Sequence, residues 1–195
     1  MSYSLDPISD NCYQNTTVLV NKLNIRDEKL LSEVEATIVS SKSVLWEIAP
    51  IHRTFDFAHY KAIHQFLFED LYDWAGQIRT VNISKKGARF CSVESLDDFT
   101  TRIFTGLSNS RHFTNLNREE FLSEIVSFYC NTNQLHPFRE GNGRTQRIFI
   151  SELIYNAGYN DFDFSNVDGD LLMIATIQSA NGVTDLLREI FDKLL

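Results

Sequence analysis

Apolar residues recur along most of this chain at spacings of three or four positions, the pattern of helices that bury one face. The first such stretch runs from Ile25 to about Trp46 and is closed by Ala49-Pro50. The same spacing predicts further helices over 56–74, 95–107, 117–134, 144–156 and 171–195, the last broken in two at Asn181-Gly182. With only 8 Gly and 3 Pro in 195 residues, long helices are favoured over many short strands.

Several polar residues stand where helix ends are expected. Asp56 is predicted to cap the second helix, and Trp74-Ala75-Gly76 is predicted to end it. Ser95-Leu96-Asp97-Asp98 resembles a capping box that opens the third helix, and Gly158 is a C-terminal cap for the helix over 144–156. The histidines of the second helix, His59 and His64, have no partner at metal-ligand spacing, so they are predicted to be surface or packing residues.

One stretch, residues 80–92, has the alternation of a strand instead. Residues 80–84 and 89–91 are predicted to pair as a hairpin around a turn at 85–87, the only β structure expected. An isolated hairpin is marginal, so it either leans on the helices as a connector or contacts another molecule, and spacing alone favours neither. Residues 1–20 are predicted to form an irregular leader, and residues 1–195 one all-α domain with this hairpin.

Composition and charge narrow the classes of function. Hydrophobic residues make up 43% of the chain, which argues against disorder. The formal charge is −8 and the pI is about 5.1, which argues against nucleic acid as a general partner. Its three cysteines contain no Cys-x-x-Cys pair, so neither a disulfide framework nor a cysteine zinc site is expected. Neither a signal peptide nor a membrane span is evident, and the prediction is a cytoplasmic protein without a membrane partner.

The richest chemistry lies in residues 136–147, His-Pro-Phe-Arg-Glu-Gly-Asn-Gly-Arg-Thr-Gln-Arg. Gly141-Asn142-Gly143 stands just before a predicted helix, where backbone amides and the helix N-terminus can form an anion pocket. Arg144 and Arg147 are three residues apart and share a face of that helix, and their guanidinium groups suit phosphate oxygens.

The rest of the stretch supplies reactive groups. Glu140 is a hard carboxylate that could hold Mg²⁺ against bound phosphates. An unperturbed histidine side chain has a pKa near neutrality, so a residue of this type at position 136 can act as a general base for a hydroxyl nucleophile. Arg139 adds local positive charge to an acidic chain. Each feature alone is common, but together they indicate a site for attack on a phosphate.

Residues 136–147 match the signature of the Fic domain, H-P-F-x-[D/E]-G-N-G-R-x-x-R, at every specified position. Asn24-Ile25-Arg26, residues 73–81 and the following hairpin also resemble small bacterial Fic proteins. The resemblance implies a helical fold that transfers AMP from ATP to a Tyr, Thr or Ser hydroxyl of a target protein. It implies that His136 deprotonates the hydroxyl and that Glu140 ligates Mg²⁺ bridging the α- and β-phosphates.

The resemblance assigns the remaining motif residues too. The amides around 141–143 would hold the phosphates, Arg144 would clamp them and Arg147 would reach the γ-phosphate, whereas Phe138 would point into the core. The hairpin would be a flap that holds an extended target segment through main-chain bonds. The flap residues expected to dock the target are Ile83, Ser84, Lys85, Lys86 and Gly87.

Members of this family are commonly inhibited by a helix carrying [S/T]-x-x-x-E-[G/N], whose Glu pairs with the second motif arginine, here Arg147. The only Ser or Thr followed four residues later by Glu is Ser43 with Glu47, and Ile48 follows instead of Gly or Asn. That spacing is most simply one helix face. The hypothesis is therefore that a small antitoxin protein supplies the inhibitory helix in trans.

Alternatives remain at this point. Related Fic-fold proteins transfer UMP, phosphocholine or a phosphoryl group, and for this chain UMP and GMP transfer both stay open. The phosphorylating relatives replace the second motif Gly by Lys and lack the last Arg. Gly143 and Arg147 favour the AMP-transferring orientation of ATP. A non-catalytic binding module is a further alternative, disfavoured because His136 and Glu140 are both present. One target that the resemblance suggests is a subunit of a type II DNA topoisomerase.

Overall fold

Helices account for most of the protein. The structure is a computed structural model, and it describes residues 4–5, 11–49, 53–85 and 88–195. Seven helices lie in these ranges: α1 (Glu28–Ile48), α2 (Phe57–Phe68), α3 (Leu96–Asn109), α4 (Arg118–Leu135), α5 (Asn142–Asn156), α6 (Gly169–Ala180) and α7 (Asp185–Leu194). The predicted all-α class is confirmed. Within the described ranges, no helix combines the length and the apolarity that a membrane span requires.

Side-chain caps fix where four of these helices begin, α1, α2, α4 and α6. Asp56 Oδ1 accepts a hydrogen bond from the backbone N–H of His59 (2.8 Å), as predicted for the start of α2. At α4, Asn117 Oδ1 accepts from the N–H of Glu120 (3.0 Å), and the Glu120 carboxylate accepts from the N–H of Asn117 (3.1 Å). This reciprocal pair satisfies two N–H groups that a helix start leaves without partners.

One predicted cap and one predicted helix boundary were wrong, although α3 does begin directly after Ser95 as predicted. No side-chain capping box forms at Ser95, because a short 3₁₀ turn at Val93–Ser95 already leads into α3. Helix α2 ends at Phe68 and not at Trp74, because a series of turns carries the chain from there to Gly76. Gly158 does follow α5 with a φ of 102°, as predicted for a C-terminal cap.

The buried face of α1 also differs from the prediction. The helix buries Leu31, Glu35, Val39 and Trp46, which recur at a helical spacing along one narrow stripe. Leu30 and Val44, which were counted with the apolar face, are 48% and 59% exposed. Adjacent positions point about 100° apart on a helix, so residues 30 and 31 cannot both face the core.

The predicted hairpin forms, but it has a third strand. Strands β1 (Ser4–Leu5), β2 (Ile83–Lys85) and β3 (Ala88–Arg89) make an antiparallel sheet in the order β1-β2-β3. Ser4 pairs with Ser84 and Leu5 with Ile83. Part of the predicted irregular leader therefore covers the outer edge of the hairpin, and a β-bridge joins Cys12 to Leu19 beyond it.

Aromatic rings fill the centre of the helical layer where α2, α4 and α5 meet. Phe149 of α5 is fully buried and packs edge-on against Tyr60 (5.3 Å between centroids) and Phe104 (5.8 Å). Phe138, from the loop between α4 and α5, is also fully buried, as predicted, and stacks on His64 at 3.8 Å. The loop over residues 136–141 is thus anchored directly in the core, between the end of α4 and the start of α5.

Candidate active site

The loop between α4 and α5 begins with His136, whose backbone is left-handed (φ 43°). Its N–H still bonds to the Thr132 carbonyl (3.2 Å), so His136 ends α4. The ring nitrogen Nδ1 lies 3.0 Å from the Asn133 carbonyl oxygen. A carbonyl can only accept, so Nδ1 carries the proton and the basic lone pair of the neutral ring is on Nε2. The ring is therefore oriented as a base that acts through Nε2.

Two residues near the flap hold His136 in place. Phe90, just after β3, stacks on its ring with centroids 3.7 Å apart and an interplanar angle of 13°. Arg79 is 4% exposed, and its Nε donates to the His136 carbonyl oxygen (2.8 Å). The same guanidinium donates to the carbonyls of Val81 (2.9 Å) and Cys91. Arg79 thus ties the flap to the loop that carries the base.

The turn into α5 is shaped by Gly141 and Asn142. Gly141 has a φ of 78°, and a Cβ there would lie 2.3 Å from the ring of Phe68. The Asn142 side chain, 2% exposed, both accepts from the N–H of Phe138 and donates to its carbonyl oxygen, each at 2.8 Å. This closes the loop so that the first amides of α5, which have no acceptor inside the helix, form an anion cradle at its N-terminus.

Glu140 lies at the mouth of the cradle. Its Oε1 accepts from the N–H of Gly141 (2.8 Å) and lies 3.6 Å from Arg144 Nη2. Its backbone carbonyl is held by His64 Nε2 (3.0 Å), while His64 Nδ1 accepts from the N–H of Gly76 (2.8 Å). Burial lowers the pKa of His64 to about 3, so the ring is neutral and donates through Nε2. His64 was correctly predicted as a packing residue, and it also fixes the backbone beside Glu140.

The two arginines of α5 have different surroundings. Arg144 stacks over the ring of Phe68 at 4.7 Å and forms an ion pair with Glu35 of α1, with 2.5 Å between Nη2 and Oε1. Arg147 forms no ion pair with an acidic side chain in the described part of the chain. Burial lowers the pKa of Arg147, and the charge of Arg144 lowers it further. A desolvated guanidinium of this kind favours an incoming anion.

A cavity of about 530 Å³ brings three of the predicted residues together. His136, Gly143 and Arg147 line one side of it, and apolar residues of α6, among them Leu172 and Ile177, line the other. Such a volume and lining suit a molecule with a flat apolar part and a charged part.

A second groove lies on the other side of the cradle. Its volume is about 490 Å³. It is lined by Glu140, Gly141, Gly143, Arg144 and Arg147 together with the α1 residues Ala36, Val39, Ser40 and Ser43. The side chains that α1 presents here are small. The groove therefore gives a partner access to Arg147 from the α1 side.

Several of the predicted flap residues, and Arg139, do not lie where a direct role in binding would place them. Ile83 is 4% exposed, so its side chain packs into the protein, and Ser84 pairs through its backbone with both neighbouring strands. Lys85 lies in β2, and not in the turn as predicted; Lys86 and Gly87 lie outside the described residues. Arg139 does not line either cavity: it is 5% exposed, and its Nη2 lies 3.6 Å from Cys12 Sγ.

Three contributors to the site were not predicted from the sequence: Glu35, Arg79 and His64, the last recognised only as packing. Glu35 gave a usable signal, since a carboxylate at position 35 interrupts the apolar stripe through Leu31 and Val39. Arg79 and His64 gave none, because the loop carbonyls that they contact, those of His136 and Glu140, lie more than fifty residues away in sequence.

Comparison with known families and proteins agrees with this geometry. The sequence model of the Fic/DOC family matches residues 54–154, which include the cradle and its neighbours. The probable protein adenylyltransferase y4lH of Sinorhizobium fredii is 37% identical over 178 residues, covering 91% of this chain and 89% of that protein. Protein adenylyltransferase VbhT of Bartonella schoenbuchensis is 36% identical over 184 residues, but this chain spans only 38% of its length.

A solved structure has the same fold. The BepC protein of Bartonella tribocorum, a VirB-translocated effector whose crystal structure holds AMPPNP, superposes with a TM-score of 0.87 at 26% identity. The match covers 94% of this chain and 95% of that one. The architecture that presents the cradle is therefore shared with a protein that binds an adenine nucleotide analogue.

Proposed function

Because this chain belongs to the Fic/DOC family, we propose that it is a protein adenylyltransferase that transfers AMP from ATP to a hydroxyl side chain of a target protein. The observation that carries the proposal is the meeting of His136, Gly143 and Arg147 at one cavity of about 530 Å³. The names of y4lH and VbhT, protein adenylyltransferases, support it.

In the proposed reaction, the target oxygen attacks the α-phosphorus while His136 Nε2 takes its proton. The bond from phosphorus to the oxygen bridging the α- and β-phosphates breaks, and pyrophosphate leaves. The amides at the start of α5, with Arg144 and Arg147, stabilise the negative charge of the phosphates and of the leaving group. The apolar residues of α6 are the proposed contact of the adenine ring.

Glu140 fits the role of the Mg²⁺ ligand. Its Oε1 already bonds to the N–H of Gly141, and its Oε2 has no hydrogen bond within the described residues. One carboxylate beside a phosphate cradle is the arrangement that Mg²⁺ uses when the phosphates supply further ligands. When bound, the ion would neutralise phosphate charge.

Transfer of label from ATP to protein tests the proposal. We expect protein in a bacterial lysate to be labelled by the purified chain with Mg²⁺ and α-labelled ATP but not with γ-labelled ATP. His136→Ala should abolish the label, whereas His112→Ala, which removes a histidine outside the cavity, should retain it. Label from the γ position alone would make the chain a kinase. If unlabelled UTP or GTP competes better than unlabelled ATP, the donor nucleotide is UTP or GTP instead of ATP.

We also propose that a separate antitoxin inhibits the site by placing a helix in the second groove and a carboxylate on Arg147. The small side chains of α1 there, such as Ala36 and Ser40, allow a second helix to approach closely, and within the described residues Arg147 has no acidic partner. The chain expressed alone should then arrest growth, and His136→Ala should not. If the intact chain is harmless and inactive until Glu47→Gly is introduced, inhibition is in cis and this proposal fails.

The proposal also includes the class of protein that is modified. We propose a hydroxyl-bearing protein of the bacterial cytoplasm, with a type II DNA topoisomerase subunit as the first candidate. Mass spectrometry of the labelled band from the α-labelled ATP experiment identifies the protein and the modified side chain. A lysate without a labelled topoisomerase subunit would remove that candidate.

A further inference from the structure

Glu35 of α1 reaches the cradle from a helix outside the sequence motif. Its Oε1 lies 2.5 Å from Arg144 Nη2, and its Oε2 accepts a hydrogen bond from the hydroxyl group of Tyr72. Glu35 is 9% exposed, and both of its oxygens are used. Such a carboxylate holds a fixed direction, because rotating it would break one bond or the other.

Arg144 is held on more than one side. Besides Glu35, its guanidinium lies 3.6 Å from Glu140 Oε1 and 4.7 Å from the centroid of the Phe68 ring. The bond to Glu35 uses Nη2, so Nη1 and Nε keep N–H groups that can point at a phosphate. Orientation of this kind is what a guanidinium needs in order to stabilise charge that develops during transfer.

Simple stabilisation of α1 does not account for a carboxylate at this position. A buried carboxylate has a desolvation penalty that an ion pair often fails to recover, and the neighbouring stripe positions Leu31 and Val39 are apolar. An apolar residue at position 35 would continue that stripe but would leave Arg144 without its Nη2 partner.

We infer that Glu35, oriented by Tyr72, is a positioning residue for the transfer reaction, acting by fixing Arg144 against the phosphates. The inference rests on the proposed adenylyl transfer. It has a specific consequence for nucleotide binding. Removing Glu35 removes a negative charge beside the cradle, so the ground-state affinity for nucleotide is kept or increased, while the alignment that speeds transfer is lost.

The test compares Glu35→Ala and Glu35→Gln with Glu33→Ala, which changes an exposed glutamate of the same helix whose carboxylate forms an ion pair with Lys29. We expect Glu35→Ala to slow labelling from α-labelled ATP by about 10- to 100-fold. Its dissociation constant for AMPPNP with Mg²⁺, measured by calorimetry, should be equal to or below the wild-type value. Glu35→Gln keeps an acceptor for Arg144, so its labelling rate should fall less than that of Glu35→Ala. Glu33→Ala should match the wild type in both the labelling rate and the dissociation constant.

Tyr72→Phe provides a second variant with no change of charge. It should slow labelling in the wild-type background and have no further effect in the Glu35→Ala background, because both act on Arg144. Additive effects of the two changes would contradict the inference. Faster or unchanged labelling by Glu35→Ala would also contradict it. Weaker AMPPNP binding in parallel with the loss of rate would contradict it too, because that result would indicate general damage to the site.

A readout that does not depend on transfer separates this inference from the proposed function. In ¹⁵N relaxation spectra of arginine side chains, the Nε–H signal missing from Arg144→Lys identifies Arg144. That signal should be ordered in the wild type and mobile in Glu35→Ala. Equal order in both proteins would overturn the inference, even if the wild type labels its target. A wild type that labels nothing but keeps Arg144 ordered through Glu35 would overturn the proposed function and, with it, the role in transfer, while the positioning of Arg144 by Glu35 would stand.

Discussion

Gly141 is the residue of the cradle at which a side chain is most directly excluded. A Cβ would lie 2.3 Å from two carbons of the Phe68 ring, and the φ of 78° is itself unfavourable for other residues. Phe68 cannot easily move away, because it is buried in the core and stacks on His64 at 4.7 Å.

We therefore predict that Gly141→Ala disrupts the cradle. The strain and the clash should lower the free energy of unfolding by at least about 2 kcal/mol and should abolish AMPPNP binding. Urea unfolding and calorimetry measure the two effects. Gly106→Ala is the matched control: nothing lies within 4 Å of its added Cβ in α3, so the protein should gain about 0.5–1 kcal/mol. Normal AMPPNP affinity in Gly141→Ala would contradict the role given to the turn.

Single residues could be predicted from the sequence where their chemistry is local. The base, the cradle and the arginines of residues 136–147 lie within one loop and one helix start, so a linear pattern contains them. Glu35 and Arg79 could not be assigned in this way. Each reaches the loop from an element far away in sequence, and only the packing of α1 and of the flap brings them there.

At the scale of elements, Arg79 is the main connection between flap and catalytic loop. Besides its side-chain bonds to three carbonyls, its own N–H donates to the Pro137 carbonyl oxygen (2.9 Å). Its side chain thus joins the segment before β2, the segment after β3 and the end of α4. A lysine has a single donor group and cannot reach all three carbonyls with fixed geometry.

Arg79→Lys should therefore slow labelling from α-labelled ATP by about 10- to 100-fold, because His136 and the flap lose their common anchor. The fold should survive, so circular dichroism should be unchanged at 25 °C. Arg102→Lys, an exposed arginine stacked on Phe99 of α3, is the control and should retain the wild-type rate. Full activity in Arg79→Lys would show that the flap is positioned by other contacts.

One edge of the flap is already occupied, because β1 pairs with β2 along it. Ser4 and Leu5 occupy backbone groups of β2 that an added target strand would need on that edge. We predict that removing residues 1–5 raises labelling at limiting target by about three- to tenfold, the equivalent of one net hydrogen bond of roughly 1 kcal/mol. Ser4→Ala keeps the backbone bonds and should leave the rate unchanged. A slower truncated protein would show that β1 supports the flap.

Helices began where the sequence predicted when caps and periodicity agreed, as at the starts of α2 and α4. Elements departed from the prediction where tertiary contacts decide. The third strand of the flap joins residues about 80 positions apart, as the pairing of Ser4 with Ser84 shows, and no local pattern reports such a contact. The predicted capping box at Ser95 failed for the opposite reason, since a local 3₁₀ turn took its place.

Across the whole molecule, Glu152 of α5 joins three distant segments. Its carboxylate accepts from Trp46 Nε1 (2.9 Å) and Arg53 Nε (2.8 Å) and lies 3.1 Å from His59 Nε2. Burial alone would raise the pKa of Glu152, but its bonds to His59, Arg53 and Trp46 outweigh burial and lower it. The pKa is thus depressed in the folded state, so this contribution is present above the unfolded pKa of about 4.3 and lost as pH falls through the folded pKa.

Glu152→Gln should lower the free energy of unfolding at pH 7 by about 1–3 kcal/mol, because the charge-assisted bond to Arg53 is lost. It should also reduce the loss of stability below pH 4. Glu189→Gln removes an exposed partner of Lys193 and should change stability by less than about 1 kcal/mol. Urea titrations at pH 7 and at about pH 3 measure both variants. Equal stability of Glu152→Gln and the wild type would contradict a role in joining the segments.

His64 gives the molecule a pH dependence in a different range. Burial lowers its pKa to about 3, while the unfolded chain has a histidine pKa of about 6.5. Between these values the unfolded state binds a proton that the folded state does not, so stability falls as pH falls below about 6.5. The neutral ring accepts from the N–H of Gly76 and donates to the Glu140 carbonyl. Protonating it at low pH would therefore disturb the loop of the active site.

We predict that the wild type loses about 2 kcal/mol of unfolding free energy between pH 7 and pH 5 through this residue. His64→Gln, whose amide can still accept from Gly76 and donate to Glu140, should be less stable at pH 7 but should lose about 2 kcal/mol less on acidification. His112→Gln, a histidine packed against Phe55 away from the loop, should keep the wild-type slope. Urea titrations at the two pH values give the slopes, and the same slope in His64→Gln and the wild type would mean that His64 is protonated in the folded protein.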